Sequence, residues 1–196
     1  MTFVWKTNEA RLPRFAHAGH PTLQPRPSTH KKPWVYAAKD PVFAAVFIGL
    51  TSNFVFDIRR HPEKKLPYLC ERFAGALDES YSIERNSGSL YVLSGDGFIK
   101  GQTQCAEAVV CAETVVPLEE QPLDDVKAYL LGLERQGRLL IDRYPNRGDW
   151  LPADDSDLVE IAAKWTQDFG ERILEQFKKY HPHLLDRMLE KLNSRD

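Results

Sequence analysis

What this 196-residue chain lacks narrows its class before any motif is read. Cysteine is scarce. Cys70, Cys105 and Cys111 are odd in number and never fall in CxxC spacing, so a disulfide framework or a zinc knuckle is not expected. Their burial as small apolar thiols is the simpler reading. No apolar run approaches the roughly 20 residues that cross a bilayer. The longest, Val42 to Leu50, reads as a buried helix, and no membrane partner is expected. The first residues, Met-Thr-Phe-Val-Trp-Lys-Thr-Asn-Glu, show neither a charged-then-apolar signal pattern nor a small-residue cleavage site, which predicts a cytoplasmic protein. There is no glycine-rich phosphate loop, since Gly95-Asp-Gly97-Phe98 is too short for a dinucleotide fingerprint, and no serine in a nucleophile elbow. His17-x-x-His20 and His181-Pro-His183 lack a Cys or Asp at ligand spacing, so no metal is expected.

What is there is ordinary in bulk: 42% hydrophobic and 28% charged residues, those of a soluble globular protein. The charge is unevenly spread. Residues 1–35 hold six Lys or Arg against Glu9 alone, a local +5, which leaves −7 on the remainder of a chain whose overall charge is −2. That basic start, with His17, His20 and His30, suits phosphate groups or a solvated irregular segment. Its cations lack interleaved aromatics and the pI is near 6.3, so nucleic acid is not indicated as a partner.

The pattern predicts an α+β fold: a mixed, strand-rich core over residues 1–122 and a helical C-terminal extension over 123–196, packed as one unit. Prolines at 13, 21, 25 and 27 leave room only for short strands early on, best at Arg14–Ala18, then at Trp34–Ala38. Asp40-Pro41 opens a helix that runs to about Leu50, with Asp as N-cap and Pro at the first position. A strand over Asn53–Ile58 follows. Ser80–Glu84 and Ser89–Leu93 read as a hairpin around Arg85-Asn-Ser-Gly88, and Cys105–Val116 as a strand region. Asp124 or Asp125 caps a helix to about Gln136. Leu158, Ile161, Ala162, Trp165, Phe169, Ile173 and Phe177 then keep helical spacing through one long amphipathic helix, which His181-Pro-His183 ends. Its apolar stripe suits the core, a neighbouring helix or a second copy of the chain.

Three of the short strands each carry one polar group: His17, Tyr36, and Glu107 at the head of Glu-Ala-Val-Val-Cys-Ala-Glu-Thr-Val-Val-Pro. Each has a purely structural reading, as a satisfied histidine, a strand aromatic and a solubilising carboxylate. His20 competes with His17 for the first position, and Glu113 with Glu107 for the last. Taken in order, His17…Trp34-Val-Tyr36-Ala-Ala38-Lys-Asp40-Pro-Val-Phe-Ala44…Glu107-Ala-Val-Val110 resembles the ADP-ribosyltransferase-like fold, in the group with a His–Tyr–Glu triad. The resemblance covers residues 13–118. It departs from the group at Ala38, where Thr or Ser is usual, and at Ala18, which separates His17 from Gly19.

The resemblance implies NAD as substrate, cleaved at the nicotinamide–ribose bond, with ADP-ribose passed to an unknown macromolecular or small-molecule acceptor. In that scheme Glu107 binds a ribose hydroxyl and stabilises the developing oxocarbenium charge. Tyr36 stacks on nicotinamide and His17 orients the dinucleotide, while Arg14 or Arg26 pairs with the pyrophosphate. The alternatives are a catalytically inactive binding or structural module of the same fold and, further off, a metal-assisted hydrolase using the histidines.

Overall fold

The computed structural model describes residues 22–25, 33–50, 52–82, 86–103 and 106–194, and the backbone course of 11–16. They form a mixed α+β fold with three three-stranded sheets. Two compact units share the chain. The first takes the described residues up to Gly49, Arg59–Pro67 and Tyr81–Leu140; the second takes Leu50–Ile58, Tyr68–Ser80 and the chain from Ile141 onward. Each is therefore stitched from three separate segments.

The first unit contains two antiparallel sheets. In one, the central strand β5 (Gly88–Ser94) pairs on one side with β1 (Arg11–Ala16), from Arg11↔Ser94 to Ala16↔Ser89. On its other side lies β8 (Glu119–Leu123). The expected hairpin between Ser80–Glu84 and Ser89–Leu93 is thus not formed. Ser80 closes a helix instead, and β5 takes its partners from distant chain. In the second sheet β7 (Ala108–Cys111) lies between β2 (Val35–Ala38) and β6 (Ile99–Lys100). Strand alternation puts Val35, Ala37, Val109 and Cys111 on one face, where they cluster with Tyr91 and Leu93 of β5. The Tyr91 ring is buried, but its hydroxyl reaches Glu120 Oε1 at 3.1 Å, which also accepts from Ser89 Oγ at 2.6 Å. A glutamate in β8 is therefore tied down from the central strand.

Helix α1 (Pro41–Gly49) begins as expected, with Asp40 Oδ1 accepting from Val42 N at 3.0 Å. Seven of its nine residues are buried, in keeping with an apolar surface on every side. Helix α3 (Val126–Arg135) settles the choice of cap: Asp125, not Asp124, accepts from Ala128 N. This helix belongs with the first unit rather than with the C-terminal helices.

The second unit carries most of the third sheet, in which β4 (Pro67–Glu71) lies between β3 (Phe56–Arg60) and β9 (Leu140–Asp142). Strand β3 starts later than expected because Phe54 sits in a turn, its ring turned to the helices. After β4, the buried Glu71 carboxylate accepts from Leu77 N at 2.8 Å and Tyr144 N at 3.2 Å, satisfying the start of α2 (Ala76–Ser80) from outside that helix.

The expected long helix is two helices. Gly170, at φ +78°, splits it into α4 (Ser156–Phe169) and α5 (Glu171–Tyr180), because that backbone conformation suits a residue without Cβ. A 3₁₀ turn at Pro182–Leu184 leads into α6 (Leu185–Asn193). Phe54, Leu158, Ala162, Ile173, Phe177, Leu184 and Met188 form the buried cluster among these helices. Phe177 is fully buried and meets Phe54 edge-on at 5.3 Å. Phe177→Ala is expected to cost about 3–5 kcal/mol, the usual loss for a buried aromatic, read by urea denaturation.

His181 is completely buried where α5 ends, with Nε2 2.7 Å from the Phe54 carbonyl oxygen. A carbonyl only accepts, so Nε2 carries the proton and Nδ1 is bare, with no partner among the described residues. Burial pushes its pKa down, helped by His183 and Arg72 and opposed by the Phe54 carbonyl and Asp155. The unfolded chain, with an ordinary histidine near 6.5, then binds the proton more readily than the native state. This contribution is complete above about pH 6.5 and is lost as pH falls from there toward the lower native value, at a slope of at most about 1.4 kcal/mol per pH unit. His181→Gln, which keeps a donor to Phe54, should flatten the stability profile between pH 7.5 and 5; parallel profiles would refute the assignment.

Candidate functional site

The carboxylate singled out in the sequence lies at a junction within the first unit. Strands β2 and β7 pair antiparallel from Val35↔Cys111 to Ala38↔Ala108, and Lys39 N extends the ladder by donating to the Glu107 carbonyl at 3.1 Å. Glu107 stands in the turn just ahead of β7, opposite Lys39 where the ladder is extended. Its carboxylate is held by Arg60. The Arg60 Nε donates to Glu107 Oε1 and its Nη2 to Oε2, both at 3.0 Å, a two-pronged contact matched to the planar carboxylate.

The same guanidinium serves a second acid. Arg60 Nη2 also reaches Asp40 Oδ2 at 3.0 Å, while Asp40 Oδ1 caps α1. Arg60 Nη1 donates to the Lys65 carbonyl at 3.1 Å, and its Cζ lies 5.3 Å from the centre of the Phe43 ring. Lys39 Nζ closes the edge on the Ala106 carbonyl at 3.3 Å. The Glu107 bond chiefly holds Arg60 in its charged form, partial burial opposes it, and Asp40 adds to the holding effect. Two carboxylates share one guanidinium, which leaves the trio with one net negative charge.

The other expected site residues are distributed as follows. Tyr36 is half-buried on β2 opposite Val110, three residues along β7 from Glu107, or about 10 Å at ~3.4 Å per residue. Tyr36 is thus on the strand beside the one that Glu107 heads, on the face opposite Val109 and Cys111. Arg14 is in β1, opposite Tyr91, with its side chain outside the described residues; His17, His20, Arg26 and Cys105 lie outside them entirely. Glu113 is exposed beyond β7, and of the two competing glutamates Glu107 is the one embedded in contacts.

Arg60 and the pairing role of Asp40 were not read from the sequence. The charged stretch Arg59–Lys65 gave no sign that one of its cations turns toward a glutamate 47 residues later. In the second unit, a cavity of about 520 Å³ is lined by the single loop Arg147–Ala153, and neither Tyr36 nor Glu107 borders it. Among the described residues no group of three His, Cys, Asp or Glu could hold a metal ion, and no helix is long and apolar enough to cross a membrane.

Comparison with protein-family models, with curated proteins and with solved structures returns no match.

Asp40 has two tasks that substitution can separate. Asp40→Asn keeps a capping oxygen and should cost little of the cap energy, whereas Asp40→Ala loses cap and ion pair and should cost about 1–2 kcal/mol in chemical denaturation.

Proposed function

We propose that the first unit is an ADP-ribosyltransferase-like site that cleaves NAD at the nicotinamide–ribose bond, with Glu107 facing the ribose. The observation that carries this reading is the β2–β7 register, which puts the Tyr36 strand directly beside Glu107. In the reaction the C1′–N bond breaks and its electron pair leaves with nicotinamide. Positive charge builds on C1′, an acceptor's lone pair forms the new bond there, and the acceptor's proton is lost to water. A carboxylate near C1′ favours that charge, and an aromatic ring on the adjoining strand offers a face for nicotinamide. Glu107 can still take a ribose hydroxyl, since a carboxylate offers about four lone-pair positions and Arg60 uses two.

A second reading is favoured by the same bidentate contact: both Glu107 oxygens already hold a cation, as they would in a binding or structural module of this fold without turnover.

Calorimetric titration with NAD beside a nicotinamide-release assay separates the two. Glu107→Gln should reduce release by roughly 10²–10³-fold with little change in affinity, the scale of losing one electrostatic stabiliser. Tyr36→Ala should weaken binding. Binding without release, unchanged in Glu107→Gln, would establish the second reading. No binding by folded protein would remove NAD from consideration.

A further inference from the structure

We propose that Arg60 is a positioning residue that fixes the Glu107 carboxylate for reaction, and that Asp40 is its counter-charge; this rests on Glu107 acting at the ribose of NAD. A glutamate side chain turns about three bonds, so the backbone at Glu107 alone does not fix where its carboxylate lies. The Arg60 fork removes that freedom by engaging both oxygens at 3.0 Å. Arg60 is fixed in turn by the Lys65 carbonyl, the Phe43 ring and Asp40.

An arginine pairing with Glu107 alone would cancel the charge that the reaction needs. With Asp40 on the same guanidinium, the trio keeps one net negative charge for the cation forming on C1′. The side chain of Glu107 is 16% exposed and that of Arg60 35%, so a ligand can reach the pair from solvent.

The test is a double-mutant cycle on nicotinamide release, with Arg60→Gln, Arg60→Lys, Asp40→Asn, Glu107→Gln and the Arg60→Gln/Glu107→Gln double variant, each first checked for folding by thermal melting. Displacing a reacting group by about 1 Å costs on the order of 100-fold. Arg60→Gln should therefore lower kcat by about that factor and leave KM for NAD within about threefold. Arg60→Lys should fail to restore kcat, because an ammonium is a point charge without the fork, though it should melt closer to wild type than Arg60→Gln. Asp40→Asn should also lower kcat, since the trio then becomes neutral. In the Glu107→Gln background Arg60→Gln should add less than about threefold, because the group it positions is gone.

Equal losses from Arg60→Gln in both backgrounds, full rescue by lysine, or an effect on KM alone would overturn the proposal while leaving NAD cleavage intact. If Arg60→Gln is too unstable, the lysine and Asp40→Asn variants still decide, and unchanged kcat in both would overturn it. A folded wild type that releases no nicotinamide would overturn the reading of Glu107 and, with it, the role given to Arg60.

Discussion

One guanidinium, that of Arg60, holds together the part of the first unit where its chain segments meet. It binds Glu107 at the start of β7, Asp40 at the start of α1 and the Lys65 carbonyl in the turn between β3 and β4, and it covers the Phe43 ring. Arginine suits this better than lysine because its fork is flat, rigid and always charged, so several acceptors are satisfied without a rotamer search for each. The pair is partly open to solvent. Its share of stability is accordingly modest, and its main effect is to define where a carboxylate points.

The two units are secured by different means. In the first, the apolar faces of β2, β5 and β7 meet, and polar groups are tied at the margins, Glu120 by Ser89 and Tyr91, Glu107 by Arg60. In the second, aromatic rings from a turn and a helix interlock, and charged groups are taken inside. Arg72 is almost fully buried beside Asp157 and Asp155, and the Glu71 carboxylate accepts from the backbone N–H groups of Leu77 and Tyr144. Buried ions of that kind contribute little net stability but make the wrong arrangement expensive.

How much was readable in the sequence follows from the range of each interaction. Helices α1 and α3 were legible because their caps are local: Asp40 before Pro41, Asp125 before Val126. The break at Gly170 was hidden by an apolar stripe that keeps its spacing through Phe169 and Ile173 while the backbone turns. Strand β4 has all five residues buried and so shows no alternation, and β8 carries Pro122 and two glutamates, which an edge strand tolerates. The hairpin expected around Gly88 failed because turn chemistry proposes a local partner, whereas β5 pairs with β1 and β8. At the site, Glu107 stood out through its strand-forming neighbours. Arg60 did not, since nothing local distinguishes a paired arginine from a solvated one in Arg-Arg-His-Pro-Glu-Lys-Lys.

The pairing of β1 with β5 sets a timetable for biosynthesis. Arg11 meets Ser94, about 80 residues later, so the first strand leaves the ribosome long before its partner exists. At roughly 5–20 residues per second, that wait lasts some 4 to 16 seconds. Strand β8, which flanks β5 on the other side, arrives later still. During that interval β1 has unpaired backbone donors and acceptors that a neighbouring nascent chain could occupy. Helix α1 is made within the same interval, with apolar residues on every side and no sheet yet to receive them. Slow translation therefore lengthens the time for which these early segments need shielding, and fast translation shortens it.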